Sequence, residues 1–195
     1  ESGDVKSAIK TCQKLGVVIK KIRHKSYKIY GKGLGSLFIK KNAELNFGNS
    51  GTLARLLLGI LSTTPNINIK IKGDHSLNKR SMEKLINLLS KFGATFLPNN
   101  KYTFPLKMIS SEMPVGIEYK AGVSAQLKSA VLLAGLNSYG NTIIEEQIIS
   151  RDHTENLLMK NNASKIQIEN AKEYFKNKKI NNQSVIEFLN LKDFK

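Results

Sequence analysis

Four short segments carry side chains that could do chemistry. The first is Gly48-Asn49-Ser50-Gly51-Thr52, with Arg55 one turn further on. The second is Gly73-Asp74-His75-Ser76-Leu77-Asn78-Lys79-Arg80-Ser81-Met82, and the third is Gly122-Val123-Ser124-Ala125-Gln126-Leu127-Lys128-Ser129. The fourth is Ser150-Arg151-Asp152-His153-Thr154-Glu155. Each precedes a run with helical apolar spacing, so each reads as a helix start. Glycine lets backbone N–H groups approach a ligand, and a helix N-terminus favours anions. Cations in a first turn oppose the helix dipole by about 0.3–1 kcal/mol. Arg55, Lys79 and Arg80 at such positions therefore point to an anionic ligand. The plainer alternatives are an N-cap with Arg55 paired to a structural carboxylate, and a solvated turn at Lys79 and Arg80. Ser124 and Gln126 suit caps and ligand donors equally. Lys128 lies inside an apolar helical run and needs an anionic partner or a route to solvent. Ser150 suits an N-cap, with Asp152 and Glu155 in the first turn and Arg151 free to pair with Asp152.

Other chemistries lack their signatures. There is no Ser-His-Asp elbow, no GxxxxGK[ST] loop and no CxxC. His75 reads as a loop residue, and His153 has no Cys or His partners at metal spacing. What remains is a set of helix starts bearing arginines and hydroxyls, which suits a ligand with several negative charges.

The elements that must position these residues recur along the chain. Residues 5–15, 82–92 and 154–159 read as equivalent helices. Gly16, Gly93 and Asn162 are their candidate C-caps. Paired strands follow each: 17–22 with 27–30, 94–97 with 102–106, and 165–168 with 175–180. Between these copies, helices over 52–61 and 125–136 lead to strands at 67–71 and 142–145. The spacing of about 70–77 residues predicts a βαβαββ unit, one complete and two partial. Helices 52–61 and 125–136 are apolar over most of their circumference, which predicts helices buried on all sides and sheets outside.

The formal net charge is +16, yet all but four of the 31 basic residues are lysines, spread along the chain. The exceptions are Arg23, Arg55, Arg80 and Arg151, three of them inside the Gly/Ser/Asn-rich segments. Arg is used where bidentate contact with carboxylate or phosphate matters. No run of about 20 apolar residues is present. Cys12 is the one cysteine, so no intramolecular disulfide forms, and its helical series predicts a small core residue.

Jointly, "GNSGTLARLLLGIL", "GDHSLNKRSM", "GVSAQLKSAVLLAGL" and "SRDHTENLL" resemble the N-terminal domain of the 5-enolpyruvylshikimate-3-phosphate synthases, over the whole of residues 1–195. The resemblance implies an enolpyruvyl transferase-like α/β fold and a metal-free, cofactor-free reaction. The 5-hydroxyl of shikimate-3-phosphate attacks C2 of phosphoenolpyruvate, and the resulting ketal loses phosphate. It implies that Ser124, Ala125, Gln126, Ser150 and Arg151 contact shikimate-3-phosphate. Gly51, Arg80 and Gln126 would take phosphoenolpyruvate, and Asn49, Thr52 and Arg55 would support the loop and helix. It also implies a cytoplasmic, typically monomeric enzyme.

The family's Lys-Ser-Xaa-Xaa-Xaa-Arg motif and second domain are not in this sequence. With no initiator Met either, the expectation is one partial domain, incomplete at both ends. Three readings compete: the sister enzyme acting on UDP-N-acetylglucosamine, an RNA 3′-terminal phosphate cyclase, and a truncated, non-catalytic remnant. The dispersed lysines and the lack of a stacking motif argue against a nucleic-acid partner. A gel-shift titration at about 150 mM salt is expected to show only weak, sequence-independent binding. Tight, selective RNA binding would favour the cyclase.

Overall fold

The computed structural model describes residues 2–146, 148–160 and 184–188. Helix α1 (Gly3–Lys14) is followed by the hairpin β1 (Val18–Arg23) and β2 (Ser26–Tyr30). Then come β3 (Glu44–Asn46), α2 (Gly51–Thr63), β4 (Asn68–Lys72), α3 (His75–Asn78), α4 (Glu83–Lys91), β5 (Thr95–Leu97) and β6 (Leu106–Ile109). The third stretch holds β7 (Glu118–Ala121), α5 (Ala125–Gly135), β8 (Thr142–Glu146), α6 (His153–Lys160) and β9 (Ser184–Phe188).

The repeat appears in the strand pairings. β3 and β4 are parallel, β4 and β6 antiparallel, and β5 pairs with β6, giving the order β3-β4-β6-β5. β7 and β8 are likewise parallel, and β8 and β9 antiparallel. The short strands β3 and β7, three and four residues long, have too little alternation to be located from sequence. The second hairpin strand of the complete unit starts at Leu106, after the 102–105 turn, rather than at residue 102. The expected Asn162 cap and the strands at 165–168 and 175–180 fall outside the described residues.

Gly16 and Gly93 end their helices as expected. Their φ values of 84° and 96° are left-handed, and their amides bond to Gln13 and Ser90 carbonyls at 3.0 Å each. Helix α1 corrects one expectation. Leu15 is buried, but Cys12 is only half-buried and Val5 is exposed, so Cys12 lies at the edge of the packing rather than in the core. Burial still raises its thiol pKa.

The site depends on how α2 and α5 pack. Gln126 Nε2 donates to Thr52 Oγ1 at 2.8 Å near their N-termini, and Asn137 Nδ2 donates to the Thr63 carbonyl at their far ends. Both pairs are 74 residues apart, so repeat-equivalent residues meet and the helices run parallel, side by side. Helix α5 is buried from Leu127 to Leu132. α2 buries Ala54, Leu57, Leu58 and Leu61, while Leu53, Leu56 and Ile60 stay partly open, so only α5 approaches burial on all sides.

The crossing is close because Gly59 lacks a side chain. A Cβ there would fall 2.5 Å from the Ala130 carbonyl oxygen and 2.9 Å from its Cα, both backbone atoms. Gly59→Ala would gain about 1 kcal/mol of helix propensity, but overpacking costs about 1–3 kcal/mol and here meets unyielding backbone. We expect Gly59→Ala to lower stability by about 1–2 kcal/mol in urea unfolding. An unchanged or raised midpoint would show that the helices separate freely.

Candidate functional site

Ser50 and Ser124 cap α2 and α5 in the same way. Each hydroxyl oxygen accepts a backbone N–H, from Leu53 at 3.3 Å and Leu127 at 3.4 Å. Used as acceptors, both keep their own hydrogens for donation. Parallel packing therefore brings two capped helix N-termini, each with positive dipole character, to one end of the molecule.

Arginines gather there. Arg55 Nη1 donates to the Gly51 carbonyl and to Gln126 Oε1, both at 3.1 Å. A Cβ on Gly51 would lie 2.7 Å from Arg55 Nη1 and 3.2 Å from Arg80 Nη1. Gly51, Arg55, Arg80 and Gln126 thus share one locus. Burial, and next the Arg80 charge, push the Arg55 pKa below its ordinary value. Among the described residues no carboxylate pairs with Arg55, Arg80 or Arg151. The structural ion pair that could have explained Arg55 is absent there, and so is an Arg151–Asp152 pair. Two like charges held together without a counter-ion form a place where an anion binds favourably.

A cavity of about 610 Å³ opens beside this locus, lined by Thr52, Ser124, Ala125, Gln126, Ser150, Arg151 and His153 among others. A second, of about 700 Å³, lies across the 123–126 segment, with Arg55, Tyr119 and Lys120 in its wall. Val123, Ser124 and Gln126 border both.

Two local expectations need correction. Lys79 and Arg80 do not crowd a helix start: Asp74 caps the one-turn α3, Lys79 is its C-cap, and α4 begins only at Glu83. There the cations complement the dipole of α3. Arg80 is instead tied to Ser76 Oγ at 3.4 Å and remains exposed. Ser150 does not cap α6, which starts at His153. Its amide and hydroxyl both donate to Glu146 Oε1, at 3.1 and 2.7 Å. In the first loop, Asn49 is exposed, and the side-chain bond to Gly48 N comes from Asn46 Oδ1 at 2.9 Å. Sequence reasoning passed over Asn46, although an Asn two residues before a Gly is an Asx-turn signal.

Lys128 finds its partners in Glu146 and Glu155, at 2.9 and 2.5 Å, with its side chain fully buried and theirs 4% and 13% exposed. Glu146 was missed entirely, because nothing in a strand's last residue announces a partner on another helix. Burial, the largest influence, would lower the Lys128 pKa, but contacts with Glu155 and Glu146 outweigh it and raise it. Burial would likewise raise Glu146, and Lys128 and Ser150 outweigh it, so its pKa falls.

Converging helix N-termini, arginines that face no carboxylate among the described residues, and a polar cavity mark an α/β fold of repeated units with one end suited to an anion. The model of the EPSP synthase (3-phosphoshikimate 1-carboxyvinyltransferase) family matches residues 1–186. The chain belongs to that family. It is 37% identical over 172 residues to the 3-phosphoshikimate 1-carboxyvinyltransferase of Paramagnetospirillum magneticum, covering 88% of this chain and 38% of the relative. The enzyme of that name from Vesicomyosocius okutanii is 43% identical over 159 residues, 81% of this chain and 36% of its own length. EPSP synthase from Acinetobacter baumannii superposes with a TM-score of 0.77 at 31% identity, over 98% of this chain and 40% of that one. The chain thus spans well under half the length of the relatives it matches.

The buried cluster sets a pH window. The contribution of Glu146, whose folded pKa is lowered, is present above the ordinary 4.5 and is lost as pH falls through the folded value. That of Lys128, raised, is full below 10.5 and is lost as pH climbs through its folded pKa. Lys128→Met leaves two buried carboxylates facing each other and is expected to cost about 3–5 kcal/mol near neutral pH. The deficit should shrink in urea titrations as pH falls through the folded pKa of Glu146, where the charge that Lys128 balances is lost. A pH-independent deficit would assign the loss to packing alone.

Proposed function

We propose that this chain supplies the substrate-binding face of an enzyme that transfers the enolpyruvyl group of phosphoenolpyruvate to the 5-hydroxyl of shikimate-3-phosphate. The carrying observation is the set of unpaired arginines at the joined N-termini of α2 and α5, beside a cavity rimmed by Ser124, Gln126, Ser150 and Arg151. The family match and the named relatives support this reading over the UDP-N-acetylglucosamine and RNA cyclase alternatives. We take residues 1–195 as part of one domain of a two-domain enzyme acting on small anions in the cytoplasm, with no nucleic-acid partner.

In this reading Arg80, with Gly51 and Gln126, takes phosphoenolpyruvate. The absent Cβ of Gly51 leaves room for the ligand against the backbone. Gln126 bridges the two substrates and is held in place by Arg55, which donates to its Oε1, and by Thr52, which accepts from its Nε2. Ser124, Ala125, Ser150 and Arg151 take shikimate-3-phosphate, and Asn49, Thr52 and Arg55 support the loop and helix. The bond made is from the 5-oxygen to C2, as a proton reaches the methylene carbon and another leaves the hydroxyl. The bond broken is from C2 to the phosphate oxygen, with loss of a proton from the new methyl. Positioned acid and base groups must carry those protons. Arg80, Arg151 and Thr52 are all exposed here, so water is not yet excluded from the reacting centre.

Two outcomes check this. The 195-residue chain should release no phosphate from the two substrates above background, and calorimetry should show weak binding or none. Turnover by the chain alone would relocate the chemistry. In an enzyme extended to the length of its relatives, Arg80→Lys keeps the charge but loses the planar fork, and should cost about 1.5–3 kcal/mol in kcat/KM for phosphoenolpyruvate. Unchanged KM and kcat would remove Arg80 from that role.

A further inference from the structure

We propose that the buried Lys128–Glu146–Glu155 cluster is a positioning device that sets Ser150 and Arg151 against the cavity and so governs affinity for shikimate-3-phosphate. This rests on the reading of that cavity given above.

The first observation is what holds α6. Among the described residues none of α6 is fully buried and Leu158 is its one half-buried apolar side chain, so apolar packing contributes little to fixing it. Its ties to α5 are polar and come from neighbouring residues: Lys128 Nζ to Glu155 Oε1, and Ser129 Oγ to Thr154 Oγ1 at 2.6 Å. The second observation is the other arm of the cluster. Glu146, the last residue of β8, presents a single oxygen, Oε1, to Lys128 Nζ and to both donors of Ser150. The segment carrying Ser150 and Arg151 is thus clamped between Glu146 before it and α6 after it, and one ammonium group holds both clamps.

The third observation is cost. Burying charges costs several kcal/mol per ion, and an apolar side chain of similar volume would serve stability as well or better. Neighbours of Lys128 on α5 are apolar, with Leu127, Ala130, Val131 and Leu132 all buried. A cluster retained only for stability has no reason to spend its carboxylate on the amide and hydroxyl of a cavity residue. Hydrogen bonds to a charged acceptor are about twice as strong as neutral ones, so removing the charge while keeping the shape should loosen Ser150 selectively.

The test uses Glu146→Gln in the 195-residue chain. Ser150 amide hydrogen exchange is followed by NMR, with α5 amides reporting on the fold. Shikimate-3-phosphate and phosphoenolpyruvate are titrated separately at millimolar concentration. We expect Ser150 exchange to accelerate about tenfold while α5 protection persists. The dissociation constant for shikimate-3-phosphate should rise about tenfold, and that for phosphoenolpyruvate should change less than about twofold. Glu155→Gln, which leaves the acceptor of Ser150 in place but frees one side of Lys128, should move both readouts in the same direction and serves if Glu146→Gln fails to fold. Unchanged Ser150 exchange in a folded variant, or equal weakening of both ligands, would overturn the proposal. If the unaltered chain binds neither ligand, the two titrations are made in the enzyme extended to the length of its relatives, where equal weakening of both ligands overturns the proposal, and Ser150 exchange in the chain still decides whether the cluster positions that segment.

Discussion

Everything at the site follows from two helices packed in parallel at backbone contact. Antiparallel neighbours would set dipoles of opposite sign beside each other; here like ends coincide. Such an arrangement is electrostatically unfavourable on its own, by a few tenths to about one kcal/mol at each end. It is repaid when an anion occupies the shared N-terminal end. Gly59 and the 74-residue repeat make the packing possible, since equivalent residues lie level with one another on the two helices. The capping serines, used there as acceptors, keep their hydroxyl hydrogens for donation at that end.

A second constraint acts on the charges. Among the described residues the arginines at the site face no carboxylate, while a cation outside the site is paired twice. Arg55 and Arg80 share a locus without a carboxylate, whereas Lys128, one turn deeper in α5, is closed by Glu146 and Glu155. Had either carboxylate faced Arg80 or Arg151, it would have competed with the ligand. Neither carboxylate lines the cavity, whose wall carries Arg151, and the segment is still anchored.

Much of this was legible in the residues. Helix positions came from apolar spacing, and the C-terminal ends of α1 and α4 from Gly16 and Gly93, whose left-handed backbone leaves a mark in composition. The repeat surfaced because α2 and α5 share a pattern that no loop imitates. What was hidden is longer in range. The parallel strands β3 and β7 are short and find their partners across crossovers. Lys128 showed the need for a counter-ion but not its source, because Glu146 and Glu155 reach it from a strand and from another helix. Lys79 and Arg80 misled, since local pattern cannot reveal that one helical turn closes at Asn78 and a new helix opens at Glu83. The clustering of arginines was visible as composition, while their convergence needed the 74-residue offset to become a contact.

Among the described residues helix α6 is attached by one ion pair and one hydroxyl contact, with none of its own residues fully buried. Detaching it would therefore expose little apolar surface. Its opening should carry a small heat-capacity increment and a shallow dependence on urea, unlike the unfolding of the α2–α5 core. The molecule would then hold two kinds of cohesion. One is governed by water's response to apolar area, and the other by charges that their burial shields from dissolved salt. Lowering pH through the folded pKa of Glu146, rather than raising ionic strength, would release the wall of the cavity ahead of the helices that define its floor.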